Sequence, residues 1–362
     1  MEKKPLISVI MSVYNTNEKW LKLAVESILA QTFKDFEFII VLDCPTDNSI
    51  NIINDYRIKD DRIVVIENEK NIGLTKSLNK ALKKAKGKYI ARMDSDDISI
   101  KTRLEKQYGF MERNDHVDVL GSYIIKINDN KTKHQAMGYW LRNQERAKIR
   151  LLFGNVGIAH PTAFMRKSFL DLNNIKYNEE ILKAQDYALW IEIIQNKGVI
   201  DIIPEILLMY RESENQISFK NRSDQIEYEK VIIEKQINRL FKITDRDLAI
   251  HQSLVDPMND FTYDDYISYI DKLIVANSSR NLYSLKLIKR EIYFIWILML
   301  LKRKKLGYPN SFVFRLFTLK ALLNIFPILY FFQYILWYLK SKLIYNIYLF
   351  NNKNELEYLI SN

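Results

Sequence analysis

Residues 88–97 read Lys88-Tyr89-Ile90-Ala91-Arg92-Met93-Asp94-Ser95-Asp96-Asp97, so that a short strand-like segment runs directly into an acidic cluster. Three carboxylates within four residues repel one another unless water, a helix N-terminus or a cation relieves the repulsion. Oxygen ligands of this kind suit Mg2+ or Mn2+, which bind through one or two carboxylates and the oxygens of a substrate diphosphate. The other interpretation is an acidic turn that caps a helix beginning near Ile98. The position directly after a strand favours the cation site.

The segments before this cluster alternate between short apolar runs and stretches with helical periodicity, which is typical of a mainly parallel α/β sheet. The predicted strands are Leu6–Val13, Phe36–Leu42, Arg62–Ile66 and Lys88–Met93. The second of these is apolar except for Glu37, as expected for a strand buried on both faces. Thr16 or Asn17 is expected to cap the first helix. The fold class is therefore predicted to be α/β.

Polar residues follow the predicted strands at the points where the strands end. Tyr14 and Asn15 follow the first strand, Asp43 ends the second, and the acidic cluster ends the fourth. In open parallel sheets, ligands bind beyond the carboxyl ends of the strands, where loops and helix N-termini converge. The sequence therefore predicts a ligand site along this edge of the sheet.

Glycine, histidine and cysteine usage excludes several common classes of protein. The first of nine glycines is Gly73, so no G-x-G-x-x-G sequence follows the first strand, and no P-loop is present. Four histidines without an H-x-x-x-H spacing give no support to a zinc hydrolase. The single cysteine, Cys44, cannot form an internal disulfide, and the apolar run from Leu6 is too short for a signal peptide.

Several short motifs occur together, in order, between about residues 6 and 220. They are Ser8-Val9-Ile10-Met11-x-Val13-Tyr14-Asn15, Gln31-Thr32-Phe33-x-x-Phe36-Glu37, Asn71-x-Gly73, Tyr89-Ile90-Ala91-x-Met93-Asp94-Ser95-Asp96-Asp97 and Gln185-Asp186-Tyr187-x-Leu189-Trp190. In this succession the chain resembles the family 2 glycosyltransferases with a GT-A fold. The region from Gln185 through Tyr210-Arg211 and Asn215-Gln216-Ile217-Ser218 looks most like bacterial enzymes that extend lipooligosaccharide, capsule or other surface glycans.

The resemblance implies that a nucleoside diphosphate sugar lies over the N-terminal sheet. Tyr14 matches the aromatic residue beside the uracil, and Asp43 matches the carboxylate that accepts a hydrogen bond from the base. Ser12, Asn15 and Ser95 are assigned to the same nucleotide site. Without the motif, Tyr14 would be read as ordinary packing and Asp43 as a turn residue. Leu42 stands where the family usually has a second acidic residue.

By the same resemblance, the acidic cluster holds a divalent cation, Mn2+ or Mg2+. Asp94 is expected near the ribose or the metal, and Asp96 is expected to be the direct metal ligand. The metal would neutralise the charge that develops on the departing diphosphate. Arg211 is expected to contact the diphosphate, whereas Ser213 stands where many relatives carry a histidine.

Asp186 matches the family's general base, which removes a proton from the acceptor hydroxyl. Gln185 replaces the usual glutamate beside it, and thereby removes one negative charge. The alternative, that Asp186 caps a helix beginning at Tyr187, is compatible with this role. His160, Gln185 and Trp190 are predicted as contacts of the acceptor or the donor sugar.

The formal net charge of +10 is concentrated near the C-terminus, because residues 286–342 contain eleven basic residues and one acidic residue, Glu291. The same window contains the apolar run Ile292–Leu301 and the uncharged run Ala321–Leu339. A helix lying in an anionic leaflet accounts for both features and is favoured over a membrane span, a soluble helical core or a nucleic-acid partner.

The sequence therefore predicts an inverting, metal-dependent glycosyltransferase at the cytoplasmic face of a bacterial inner membrane, with a UDP-sugar donor and a glycan or glycolipid acceptor. The alternatives are a polyprenyl-phosphate glycosyltransferase, a processive polysaccharide synthase and a non-catalytic scaffold that binds sugar nucleotides. The predicted segments are a nucleotide-sugar half (1–99), an acceptor and catalytic half (100–223), a helical extension (224–285) and membrane-associating helices (286–362).

Overall fold

The structure is a computed structural model that describes residues 4–128, 131–135, 141, 143–155, 157–212, 222–256, 261–305 and 325–352. It divides into two compact units. The first comprises residues 1–138, 157–222 and 341–362, and the second comprises residues 139–156 and 223–340. Residues 139–156, which the sequence interpretation placed in the acceptor half, thus belong to the second unit.

The first unit contains nine strands among its described residues: β1 (Ile7–Val13), β2 (Phe36–Leu42), β3 (Ile63–Glu67), β4 (Tyr89–Met93), β5 (Ile98–Ser99), β6 (Val119–Asn128), β7 (Lys131–Gln135), β8 (Phe164–Arg166) and β9 (Ile200–Arg211). Its helices include α1 (Glu18–Leu29), α2 (Ser49–Lys59), α3 (Leu74–Lys84) and α4 (Arg103–Arg113). The second unit contributes the next helix, α5 (Gln144–Arg150), and the first unit continues with α6 (Lys167–Leu172) and α7 (Gln185–Gln195).

These strands form one mixed sheet in the order β3-β2-β1-β4-β8-β6-β9-β5, with β7 paired to β6. The strands from β3 to β4 are parallel, which confirms the prediction for the N-terminal half. After β4, the sheet continues through antiparallel β8, and β6 pairs parallel with β9. The sheet is therefore mixed and mostly parallel, in agreement with the predicted mainly parallel sheet, and three short or late strands join it in antiparallel orientation.

The central strands are buried because their residues are apolar on both faces. Every residue of β2 is buried, and β1 is buried except at Ser12, which is half-buried. Of the two predicted caps, Asn17 is the residue that begins α1: its side-chain oxygen accepts hydrogen bonds from the amides of Lys19 and Trp20. This cap fixes the helix directly after the β1 loop.

The segment after the acidic cluster is a strand and not a helix. Ile98 and Ser99 form β5, which pairs with β9, and α4 begins only at Arg103. The interpretation of the cluster as a helix cap is therefore wrong. The buried Gln31 side chain holds this segment, since its Nε2 donates to the Ile100 carbonyl (2.9 Å) and its Oε1 accepts from the Leu104 amide (3.0 Å).

The second unit is helical. With α5 it contains α8 (Arg222–Ile237), α9 (Asp245–Val255), α10 (Tyr263–Arg280), α11 (Leu285–Lys305) and part of α12 (Ile325–Asn351). The buried Glu291 carboxylate accepts hydrogen bonds of 2.7 Å from both Arg146 and Arg150 of α5. This buried ion-pair cluster ties α5 to α11, although 141 residues separate Arg150 from Glu291.

The apolar run Ile292–Leu301 lies on α11, and most of its described side chains are buried in the helical unit. Ile292, Phe294 and Met299 have at most 1% of their surface exposed. The prediction that this run contacts lipid is therefore corrected: the run belongs to the core. The part of the predicted window at residues 306–324 lies outside the described residues.

Helix α12 presents large apolar side chains to solvent at spacings of three and four residues: Phe332, Leu336, Leu339, Leu343, Ile347 and Phe350. Such spacing places them along one stripe of the helix. The helix contains Lys340 and Lys342 and no acidic residue. Among the helices that the structure describes, none meets the combined length and apolarity needed to cross a bilayer.

Candidate active site

The acidic loop lies at the carboxyl end of β4. One carboxylate oxygen each from Asp94, Asp96 and Asp97 lie within 4.8 Å of one another. Asp94 and Asp96 are half-buried, whereas Asp97 is completely buried. Arg92, the second-to-last residue of β4, is buried beneath the loop and forms an ion pair with Asp94. The strand thus supplies one of the cations that offset the charge of the acidic loop.

Asp97 is held from the end of β9. Its Oδ1 accepts a hydrogen bond of 2.9 Å from the Arg211 amide, while its Oδ2 has no hydrogen-bond partner in the described part of the chain. Burial, and then repulsion by Asp96 and Asp94, raises the pKa of the Asp97 carboxyl well above its ordinary value. An orphaned buried oxygen beside two other carboxylates is a donor set that suits a hard divalent cation.

Arg211 contacts the acidic loop directly, a contact that the sequence did not predict. Its Nε donates to the Asp96 carbonyl (3.0 Å), and its guanidinium lies 4.9 Å from the centre of the Trp20 ring. Only 6% of Arg211 is exposed. In this arrangement the side chain clamps the loop to α1. Its contact with a diphosphate stays a prediction, and Ser213 lies outside the described residues.

The ends of β1 and β2 are joined to each other and to the acidic loop by short polar side chains. The Asn15 side chain accepts a hydrogen bond of 2.8 Å from the Thr46 amide, and the hydroxyls of Thr16 and Ser95 are 2.8 Å apart. Asn15 has φ 46°, in the left-handed region. Tyr14, the residue before Asn15, is 48% exposed. These contacts link the loops that follow β1, β2 and β4, and they leave about half of the Tyr14 side chain exposed.

Asp43 is buried and carries three hydrogen bonds from the segment that enters α3. Oδ1 accepts from Asn68 Nδ2 (2.8 Å) and from the Ile72 amide (2.9 Å), and Oδ2 accepts from the Gly73 amide (2.8 Å). A carboxylate has about four lone-pair sites, so one remains on Oδ2. Asp43 therefore has a structural function, and its contact with a base stays a prediction.

Asp186 lies in the first turn of α7 and is half-buried. Ala184, in the left-handed conformation, begins the helix, so Asp186 is not the cap residue that one interpretation proposed. Its Oδ1 accepts a hydrogen bond from the Tyr187 amide (2.8 Å). Burial raises the pKa of Tyr177. The charge of Arg92 opposes this shift, whereas the charges of Asp186 and Asp94 add to it. Both carboxylates therefore act on the same buried phenol. Gln185 precedes Asp186 and is also half-buried.

His160 and Trp190 lie beneath this part of the site. His160 lies in a 3-10 turn (His160–Thr162) and is 8% exposed. Its ring packs edge-on against Trp190, with 6.2 Å between the two ring centres. Trp190 is completely buried and offers no surface to a sugar in this structure. Burial and then Arg92 lower the pKa of His160 well below its ordinary value, so the imidazole is neutral.

Three residues of the site went unrecognised in the sequence. Arg92 was seen only as part of the strand, and neither Trp20 nor Tyr177 belonged to a recognised motif. An arginine two residues before an acidic cluster, on an otherwise apolar buried strand, is a signal that points to a buried counter-ion. Nothing local marks Tyr177, because its partners are distant in sequence.

The chain is similar in sequence to several known proteins. The family profile described as Glycosyl transferase family 2 matches residues 8–172. The chain is 42% identical over 215 residues to an uncharacterized glycosyltransferase of Methanocaldococcus jannaschii, covering 58% of this chain and 71% of that protein. It is 33% identical to the Escherichia coli protein WfaP, a UDP-Glc:alpha-D-GlcNAc-diphosphoundecaprenol beta-1,3-glucosyltransferase, covering 54% and 72% of the two chains.

A similar fold occurs in a crystal structure of S. aureus TarS residues 1–349 in complex with UDP-GlcNAc. The TM-score is 0.54 at 22% identity, and the match covers 82% of this chain and 90% of that one. At this identity the likeness concerns the fold alone.

Proposed function

The chain belongs to glycosyl transferase family 2, and from this membership we propose that it transfers a sugar from a UDP-sugar to a hydroxyl group of a glycan or glycolipid. It is a glycosyltransferase with a GT-A-like α/β fold. We place its reaction in the biosynthesis of a bacterial surface polysaccharide, with a hexosyl or N-acetylhexosaminyl group transferred. The similarity to WfaP supports the donor and acceptor classes.

One observation carries the proposal: the acidic loop of β4, the polar ends of β1 and β2 and the first turn of α7 lie in one compact unit. The hydrogen bonds of Asn79, on α3, to the Tyr177 backbone hold the segment before α7 against the same half of the unit, which supports a shared site. A site of this kind needs a nucleotide platform, a group that stabilises the leaving diphosphate and a base. Each of these functions has a candidate residue.

The nucleotide would bind at the ends of β1 and β2. Tyr14 would stack on the uracil with its exposed ring, and the remaining lone pair of Asp43 would accept a hydrogen bond from the base. Ser12, Asn15 and Ser95 would line the same edge, with Asn15 and Ser95 held in place by Thr46 and Thr16.

Asp96, with Asp94, would hold Mn2+ or Mg2+, and the all-oxygen cluster fits such an ion. When bound, the ion supplies Lewis-acid stabilisation to the departing diphosphate. Arg92 offsets part of the charge of Asp94, and Arg211 fixes the loop through the Asp96 carbonyl. The side chains of Arg92 and Arg211 therefore hold the acidic loop in the conformation that brings its carboxylates together.

Asp186 would act as the general base. Its carboxylate takes the proton of the acceptor hydroxyl while the hydroxyl oxygen forms a bond to the anomeric carbon. The bond between that carbon and the diphosphate oxygen breaks, and UDP leaves with the electron pair. Attack from the face opposite UDP inverts the anomeric configuration, giving a β-linkage from an α-linked donor. A positioned base of this kind contributes about 10²- to 10⁴-fold in rate.

We also propose that the enzyme lies at the cytoplasmic face of the inner membrane. The exposed apolar stripe of α12, with Lys340 and Lys342 on the same helix, supports binding to an anionic bilayer surface. A lipid-linked acceptor would then be presented at the surface where the enzyme is held.

The test is a panel of nucleotide sugars incubated with Mn2+ and lipid-linked or free glycan acceptors, read by nucleotide release and by product mass. We expect acceptor-dependent UDP release from at least one UDP-sugar. Binding of UDP-sugars without transfer or hydrolysis for every acceptor class would favour the scaffold alternative instead.

A further inference from the structure

Tyr177 is a completely buried tyrosine whose hydroxyl lies 2.7 Å from Nε2 of His160. No function proposed above uses this phenol. Burial chiefly raises the pKa of this phenol, and the charges of Arg92, Asp186 and Asp94 also act on it. The phenol thus contacts His160, which in turn packs against Trp190 of α7.

The Tyr177 backbone is fixed to α3 by one side chain. Asn79 Nδ2 donates to the Tyr177 carbonyl (2.9 Å), and Asn79 Oδ1 accepts from the Tyr177 amide (2.9 Å). Thr75, also on α3, donates to the Ile181 carbonyl (3.4 Å). The chain is thus attached to the nucleotide half of the site immediately before it enters α7 at Gln185.

On its other side, His160 connects Tyr177 to α7 through Trp190. The imidazole packs edge-on against Trp190, and Gly157 lies so close to the indole that a Cβ there would be 2.4 Å from Trp190 Cδ1. This packing leaves the indole little freedom. Asp186 lies one helical turn before Trp190 on the same helix. The contacts therefore run from α3 through Tyr177 and His160 to the helix that carries Asp186.

The bond between Tyr177 and His160 joins two neutral groups. The pKa of His160 is lowered by burial and by Arg92, and the pKa of Tyr177 is raised chiefly by burial. If the phenol is removed, Nε2 of His160 stays buried without its partner, and an unpaired buried polar atom is costly. The imidazole would then move, and Trp190 with it.

We propose that Tyr177 is a positioning residue that sets Asp186 against the acceptor hydroxyl through its hydrogen bond to His160 and the packing of His160 on Trp190. The proposal rests on the transferase function proposed above. Tyr177 is fully buried, so it contacts neither donor nor acceptor. It acts only through the position of α7.

The experiment compares Tyr177→Phe, His160→Phe and the double variant with the wild-type full-length chain. A matched control is Tyr89→Phe, which also removes a buried tyrosine hydroxyl, but one bonded to Glu112 at the opposite end of β4. The measurements are kcat for transfer, KM for the donor, UDP affinity and the fraction of UDP released by hydrolysis. Hydrogen exchange of peptides covering residues 183–195 is the readout that needs no activity.

We expect Tyr177→Phe to lower kcat about tenfold to a hundredfold and to raise the hydrolysed fraction, with UDP affinity and donor KM within about twofold. Exchange in residues 183–195 should rise at least about fivefold. The double variant should be no slower than the slower single variant, because the two residues act through one contact. Tyr89→Phe should leave kcat and this exchange unchanged.

Unchanged exchange in residues 183–195 would overturn the proposal even if the wild-type protein transferred no sugar, and that inactivity would count separately against the proposed function. Additive losses in the double variant, or an equal loss of kcat in Tyr89→Phe, would also overturn it, because they would indicate general destabilisation.

Discussion

The Oδ2 atom of Asp43 accepts a hydrogen bond of 2.8 Å from the backbone amide of Gly73, the residue with φ 86° that begins α3. With the bonds from Asn68 and Ile72, this contact ties the end of β2 to the loop before α3. The carboxylate is only 1% exposed. The residue that the sequence suggested for base recognition therefore also holds two segments of the fold together.

Asp43→Asn should destabilise the protein by about 2–3 kcal/mol. One carboxylate oxygen becomes an NH2 group, so a buried N–H that donated to that oxygen loses its acceptor and faces another N–H. Urea unfolding of the two proteins measures this difference. Asp55→Asn, on the exposed surface of α2, is the control and should change the free energy of unfolding little. Equal stability of Asp43→Asn and wild type would show that the three bonds are dispensable.

Asp96→Ala should abolish the gain in UDP affinity that Mn2+ provides, a loss of about tenfold or more, since a proposed direct ligand is removed. Calorimetric titration of UDP with Mn2+ and with chelator measures the gain in each variant. The control, Asp115→Ala, removes an exposed carboxylate outside the cluster. A full Mn2+ effect in Asp96→Ala would place the metal on other residues.

The strand ends could be predicted because buried parallel strands read as continuous apolar runs that stop at polar residues. Tyr14, Asp43 and the acidic loop were located in this way. Their hydrogen-bond partners could not be predicted: the bonds from the Gly73 amide to Asp43 and from the Arg211 amide to Asp97 join residues 30 and 114 positions apart. Nothing in the local pattern of either residue encodes such a pairing.

The second half of the sheet was harder to predict because its strands carry weak signals. Phe164–Arg166 has three residues, too few for a periodicity, yet it pairs with both β4 and β6. Helix α5 belongs to the helical unit, where its Arg146 and Arg150 bind Glu291, a residue far along the chain. Hydrophobicity alone likewise did not distinguish the α11 run, which is core, from the α12 stripe, which is exposed.

The helical unit should lose stability in acid because of His251. Its Nε2 donates to the Leu152 carbonyl and its Nδ1 lies 2.8 Å from the Tyr269 hydroxyl, and burial lowers its pKa to about 4. The unfolded chain takes up this proton at about pH 6.5, so the free energy of unfolding should fall between pH 6.5 and 4 by about 3 kcal/mol.

Urea unfolding at a series of pH values measures the slope. His251→Gln should flatten it, whereas His116→Gln, at an exposed position, should not. An identical slope in His251→Gln would assign the acid sensitivity to other groups. His160 is expected to contribute in the same direction, since its pKa is also lowered.

Replacing Leu336 and Leu343 together by glutamate should weaken binding to anionic vesicles about tenfold or more, because it removes apolar contacts and adds repulsive charge on the α12 stripe. Sedimentation with phosphatidylglycerol vesicles measures the bound fraction. The control replaces Ile58 and Leu172, which are exposed apolar residues of the first unit, by the same residue. If both double variants bind as wild type does, α12 is not the membrane surface.

The central claim is that Asp186 removes the proton of the acceptor hydroxyl. Its most direct test is the transfer rate of Asp186→Asn at saturating UDP-sugar and acceptor, relative to wild type. The variant keeps the shape of the side chain, so UDP affinity should stay within about twofold while the rate falls about 10²- to 10⁴-fold. A transfer rate in Asp186→Asn equal to that of the wild-type enzyme would contradict the assignment.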